Sequence, residues 1–206
     1  MTDPGLLLVI SGPSGVGKST VIRQLLSRAR ELDKQLYFSV SATTRAPRSG
    51  ETEGADYQYL DEAAFEILAL SEGLLEYAEY AGARYGTPAA PIEAVLREGG
   101  CAILDIEVRG AMQVRARRPD AVLVFLMPPS WAELERRLRG RRSEPEWKIL
   151  RRLDIAREEF AQVGEYDYMV LNHSVTEAVD QLAAIIRAET CRVPRRQTLP
   201  NYGLPP

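Results

Sequence analysis

The sequence predicts an α/β fold, a parallel sheet flanked by helices. Three observations carry this. Apolar runs of strand length alternate with segments of helical spacing. A glycine-rich turn, Gly12-Pro13-Ser14-Gly15-Val16-Gly17-Lys18-Ser19, joins the first run to the first helical segment. Ala121 to Met127 is almost purely apolar, as a strand buried on both faces must be. At 206 residues and 45% hydrophobic content, the chain reads as one domain with a sizeable core.

The elements follow in order. The first strand covers about Leu6 to Ser11 and the first helix about Gly17 to Leu32. Tyr37 to Ser41 reads as a strand and Ala42 to Gly54 as a polar loop. Tyr57 to Leu60 is a short strand, and Asp61 caps a helix to about Leu70. Leu74 to Tyr80 alternates like a strand, and Gly82 to Pro88 is a turn-rich connection. A helix near Pro91 to Arg97 stops at Gly99-Gly100. Cys101 to Ile106 is a strand, Arg109 to Arg117 a helix, and Ala121 to Met127 a central strand. Ser130 with Glu133 and Ser174 with Glu177 are capping boxes for helices to about Arg139 and Cys191. Between them lie an Arg-rich break from Gly140 to Pro145, a helix from Glu146 to Val163 and a strand from Tyr168 to Leu171. The tail, Arg192 to Pro206, is expected to be extended or disordered.

The turn at Gly12 to Ser19 fits G-x-x-x-x-G-K-[ST] between a strand and a helix, which is the context a phosphate-binding loop needs. Its glycines let backbone N–H groups approach a polyphosphate at the positive end of a helix. Lys18 would reach the β- and γ-phosphates, and the Ser19 hydroxyl would meet Mg²⁺. Thr20 completes the loop.

Composition excludes other classes. A net charge of −3 is no basic footprint for nucleic acid. Cys101 and Cys191 make no disulfide framework or metal spacing, so a reducing cytoplasm is expected. No signal peptide or apolar membrane span is visible. The lone histidine, His173, reads as a surface residue.

The run Ser39-Val40-Ser41-Ala42-Thr43-Thr44-Arg45-Ala46-Pro47-Arg48-Ser49-Gly50-Glu51, continued by Gly54-Ala55-Asp56-Tyr57, resembles the signature of guanylate kinases. Tyr85-Gly86-Thr87, Leu104-Asp105-Ile106-Glu107 and Gly110-Ala111 resemble that family too. The resemblance covers about residues 6 to 190. Four positions depart from it: Arg109 stands where Gln is common, Arg142 where Gly is, His173 where Asp is, and Glu107 where Asp is.

The resemblance implies a P-loop kinase core with an inserted GMP-binding segment at 37–88 and a lid at 130–152. The core would then be 1–36, 89–129 and 153–191, with a tail at 192–206. It implies phosphorylation of GMP, and of dGMP, by ATP with Mg²⁺. Arg45, Arg48, Tyr57 and Tyr85 form the candidate clamp for the acceptor phosphate, because guanidinium forks match phosphate oxygens and tyrosine hydroxyls donate without added charge. Glu51 would orient the arginines. Asp105, at a strand end, would hold a metal-bound water or an acceptor hydroxyl. Glu76 would accept from guanine N1–H and the 2-amino group, with Glu107 accepting the amino group's second hydrogen. Ser41 and Thr87 would donate to O6. Arg141 and Arg152 are the lid arginines by resemblance, while Arg136, Arg137, Arg139 and Arg142 read as a solvated face. Asn172 would touch the adenine.

Two rival readings exist. A kinase for a ribose bisphosphate would have no use for Glu76, Ser41 and Thr87 together. A peptide-binding module that has lost catalysis would not need Lys18 and Ser19. Oligomeric state is left open, a homodimer included.

Overall fold

The structure is a computed structural model, and it describes residues 5–140 and 145–192. A five-stranded, wholly parallel sheet runs β2-β7-β1-β8-β9. Its strands are β1 (Leu6–Ser11), β2 (Leu36–Phe38), β7 (Cys101–Asp105), β8 (Val122–Met127) and β9 (Tyr168–Leu171). The alternation of side chains along β1 builds the layers. Leu6, Leu8 and Ile10 face α1 (Lys18–Ser27) and α7 (Val175–Thr190), burying Val21, Leu25 and Leu182. Leu7 and Val9 face α3 (Ala89–Arg97) and α4 (Val108–Arg117), burying Ile92, Val95 and Val114. Both faces are covered, so β1 needs an unbroken apolar run.

The carboxyl ends of β1, β7 and β9 therefore share one edge of this sheet. That edge carries the P-loop, Asp105 and Asn172.

A second sheet, β4-β3-β6-β5, is made by residues 42–88. Its strands are β3 (Ala42–Thr43), β4 (Gln58–Tyr59), β5 (Leu74–Tyr80) and β6 (Ala83–Pro88), with α2 (Glu62–Leu70) alongside. Ala42, Phe65 and Leu74 form its own small core. Beyond β8, α5 (Trp131–Gly140) and α6 (Glu146–Phe160) pack through Leu134, Leu138, Ile149, Leu153 and Ala156.

Four sequence expectations need correction. Gly82 to Pro88 is not a turn-rich connection but strand β6. Its Gly and Pro lower strand propensity, yet a two-residue turn at Ala81 and Gly82, both at positive φ, folds it against β5. Ala42 to Gly54 is not all loop, since it opens with β3. The first helix ends at Ser27 and continues as a 3-10 turn over Ala29–Leu32, and α6 likewise ends at Phe160 with a 3-10 turn at Val163–Glu165. Asp61 caps as expected, accepting from the Ala64 N–H at 2.7 Å, and Ser130 and Ser174 accept from the Glu133 and Glu177 N–H at 3.1 and 3.2 Å; the Glu133 carboxylate bonds Arg136 and Arg137. The tail residues 193–206 lie outside the described residues.

Candidate active site

The P-loop leaves β1 at Gly12, whose φ is 146°. A Cβ there would sit 2.3 Å from the Leu126 carbonyl oxygen of β8, so only glycine lets the chain turn past the neighbouring strand. Pro13 and Val16 are buried, Ser14 is exposed, and Gly15 is half-buried. Gly17, left-handed, precedes α1, so Lys18, Ser19 and Thr20 occupy its first turn. Ser19 and Thr20 are exposed there. The Lys18 ammonium donates to the Gly12 carbonyl at 2.6 Å, folded over its own loop.

The loop is braced from two directions. Asn172, at the end of β9 and only 3% exposed, donates its side-chain amide to the Val16 carbonyl at 2.7 Å. Arg137 of α5 donates to the same carbonyl at 3.0 Å and to the Asn172 carbonyl at 3.4 Å, while Glu133 holds Arg137 at 2.7 Å. Gly15, Gly17, Thr20, Arg137, Asn172 and His173 help line a cavity of about 410 Å³ beside the loop.

Asp105 lies at the carboxyl end of β7, half-buried beside Lys18. Burial pushes its carboxyl above the ordinary range, and the Lys18 charge opposes that.

The second sheet carries the residues expected to hold the acceptor. Arg45 follows β3 and pairs with Glu51 at 2.9 Å. Glu51 also accepts from the Arg48 backbone N–H at 2.7 Å and the Tyr59 hydroxyl at 2.8 Å. These donors hold its carboxyl down at about 2, Arg45 contributing most. The Arg45 guanidinium lies over the Tyr57 ring at 5.2 Å, and Tyr57 meets Tyr85 edge-on at 6.0 Å. The structure thus brings Arg45, Glu51, Tyr57 and Tyr85 together, with the Arg48 backbone tied to the same carboxylate.

Glu76 of β5 is 7% exposed, and the Thr87 hydroxyl of β6 donates to it at 2.6 Å. Burial raises its carboxyl, Thr87 opposes the rise, and Glu107 adds to it. Glu107 immediately precedes α4, makes no side-chain bond to the helix end, and is exposed. Ser41 precedes β3, its carbonyl accepting from Gln58 at 2.9 Å.

A phosphate loop on one sheet and a buried carboxylate beside an arginine–tyrosine clamp on the other can serve a donor and an acceptor nucleotide. The family model described as guanylate kinase matches residues 5–189. A guanylate kinase of Thermobifida fusca is 51% identical, over 90% of this chain and 93% of that one. One from Halalkalibacterium halodurans is 47% identical, over 97% and 95%. The crystal structure of guanylate kinase from Anaplasma phagocytophilum superposes with a TM-score of 0.74 at 33% identity, covering 95% of this chain and 91% of that one.

The chain belongs to the guanylate kinase family.

Against that family's expected site, three placements differ from the sequence reading. The Thr87 hydroxyl proton points at Glu76, not outward toward a base, because a buried carboxylate needs a donor. Arg137 is not on a solvated face: it braces the P-loop, and the only sequence signal was its i,i+4 spacing from Glu133. Tyr59 was missed as a support of Glu51; it is the second residue of β4, two positions on from the expected Tyr57, and the two rings lie 6.0 Å apart. Arg136 and Arg139 do face solvent, paired with Glu133, Glu135 and Glu146. Arg152 is half-buried on α6. Arg141 and Arg142 lie outside the described residues.

Proposed function

We propose that this guanylate kinase transfers the γ-phosphoryl group of ATP to GMP, and also to dGMP. The observation that carries the choice of base is the buried Glu76 carboxylate, held in a fixed orientation by Thr87. Guanine offers donors at N1 and the 2-amino group, which a carboxylate accepts. Adenine offers a lone pair at N1, which a carboxylate repels. Sites that pair buried groups in this way discriminate by roughly 10⁴–10⁵.

In this reading residues 37–88 bind GMP, residues 1–36, 89–129 and 153–191 form the core, and 130–152 close over ATP as a lid. Arg45, Arg48, Tyr57 and Tyr85 hold the GMP phosphate, and Glu51 keeps Arg45 and the Arg48 backbone aimed. An oxygen of that phosphate attacks the γ-phosphorus in line, and ADP leaves. No side chain forms a bond to the phosphoryl group, so position and charge neutralisation do the catalysis. Lys18 leaves the Gly12 carbonyl for the transferring phosphate, and Arg152 with Arg141 neutralises it from the lid. Adenine takes the cavity bounded by Arg137, Asn172 and His173.

Ser19 and Asp105 are the residues that would hold Mg²⁺. They are hard oxygen donors at the loop and strand ends, and the described residues hold no group of three or more His, Cys, Asp or Glu that could cage an ion. That fits a cation bound by few protein ligands together with phosphate and water. Such an ion neutralises charge on the transferring phosphates when bound.

No helix among the described residues is long and apolar enough to cross a membrane. A reducing, cytoplasmic setting fits this reading, since Cys101 and Cys191 make no disulfide framework in the sequence.

The test is ATP-dependent GDP formation in a coupled assay, run with GMP, dGMP, IMP, AMP, UMP and ribose 1,5-bisphosphate as acceptors. GMP and dGMP are expected to turn over, IMP poorly, and the rest negligibly. Preference for the ribose bisphosphate would overturn the reading.

A further inference from the structure

The geometry points to helix α4 as the part that aims the base-reading carboxylate, with Gln113 and Arg117 as positioning residues for Glu76. This rests on the reading that Glu76 accepts from guanine.

The starting point is a fault in the strand. Leu74 pairs with Pro88, but Tyr77 pairs with Gly86, so Leu75 and Glu76 together stand opposite Thr87 alone. Such a bulge adds a residue to one strand and re-aims side chains. Its effect is visible in burial: Leu74, Leu75 and Glu76 are buried in succession, where simple alternation would have turned one outward. The bulge is what brings Glu76 onto the Thr87 hydroxyl.

A bulge at a sheet edge is soft unless something holds it, and β5 is the edge strand. α4 covers that edge. The Gln113 side chain accepts from the Tyr77 N–H at 3.2 Å and donates to the Tyr77 carbonyl at 3.1 Å, taking the place of a neighbouring strand. One turn on, Arg117 donates to the Leu74 carbonyl. The two contacts fall on either side of the bulge and fix β5 before and after Glu76. Gly110 lies one turn before Gln113 on the same face. A Cβ there would stand 2.7 Å from Glu76 Oε2, so the helix approaches the carboxylate closely. The same helix begins at Glu107, whose charge acts on Glu76, and follows β7, which ends in Asp105. The base reader is thereby referenced to the core sheet by side chains that touch no nucleotide in the proposed reading.

The test uses Gln113→Met, close in length but unable to make either bond, and the pair Arg117→Met and Arg117→Lys. Steady-state constants for GMP, IMP and ATP are measured beside the melting temperature, with Glu76→Ala and the Glu76→Ala/Gln113→Met double variant as references. Gln113→Met is expected to raise KM for GMP by about 10-fold and to narrow the GMP-over-IMP ratio, with KM for ATP held within about twofold. Arg117→Lys should recover the GMP constant that Arg117→Met loses. In the Glu76→Ala background, Gln113→Met should add almost nothing, because its effect passes through Glu76. A lower melting temperature with unchanged GMP constants and an unchanged ratio would make these contacts edge cover only and overturn the proposal. An unchanged ratio in Glu76→Ala would overturn the base-reading assignment, and this proposal with it. A collapsed ratio in Glu76→Ala beside an intact one in Gln113→Met would overturn the role of α4 alone.

Discussion

The Val16 carbonyl offers a sharp test of how the P-loop is held. Val16 is 0% exposed, and its carbonyl has two donors, Asn172 at 2.7 Å and Arg137 at 3.0 Å. Asn172→Leu and Arg137→Met remove one donor each while filling a similar volume, which keeps water from taking the vacated place. In either single variant the carbonyl still has a partner, so its own share of the loss is one hydrogen bond, about 0.5–1.5 kcal/mol; Arg137→Met also gives up the bonds to the Asn172 carbonyl and Glu133, a loss present in the single and the double variant alike. In the double variant the carbonyl is orphaned, and a buried unpaired acceptor costs roughly 1–3 kcal/mol in its own right. The double variant should therefore lose about 1–2 kcal/mol more than the sum of the singles. At about 2–4 °C per kcal/mol for a chain of this size, thermal melts resolve that difference, and urea titrations give it directly. KM for ATP should follow the same order, rising most in the double variant. Additive losses would mean that the two donors do not share one acceptor energetically and would refute the reasoning.

Three further outcomes follow from the site. Lys18→Met should abolish phosphoryl transfer while calorimetry still detects GMP, because Lys18 belongs to the donor side; loss of the GMP signal in a folded variant would contradict separate subsites. Glu51→Ala should raise KM for GMP strongly and leave KM for ATP nearly unchanged, since it frees Arg45, the Arg48 backbone and Tyr59 at once; equal effects on both substrates would remove Glu51 from the clamp. Glu76→Gln should raise the melting temperature more at pH 8 than at pH 5. The folded-state pKa of Glu76 is raised by burial, so the charged form opposes folding above that pKa and the handicap fades as pH falls through it toward the unfolded value. A gain independent of pH would show that Glu76 carries no such handicap.

The core was legible because its signals are local. The apolar runs of β1, β7 and β8 and the caps at Asp61, Ser130 and Ser174 are read within a few residues. The second sheet was harder, because its strands are short and lean on partners distant in sequence. β6 contains Gly86 and Pro88 and becomes a strand only because β5 and β3 lie on either side of it. The bulge at Leu75 and Glu76 was invisible for the same reason: Leu74 to Tyr80 has a strand's composition, and only the pairing with β6 reveals the extra residue. Arg137 was misjudged because a run of arginines beside glutamates looks alike whether it faces water or a backbone carbonyl.

The donor and acceptor sides of the site also differ in how ready they are for charge. Arg45 is already fixed by Glu51 and flanked by Tyr57 and Tyr59, so under the proposed function an arriving phosphate would meet a guanidinium that need not reorganise. Lys18 donates to one carbonyl, Gly12, a neutral partner and a weaker competitor than a phosphate, with the Asp105 carboxyl beside it. The acceptor clamp is preorganised, and the donor lysine is parked. Preorganised donors act at no cost during reaction, whereas a parked one must be recruited by its substrate.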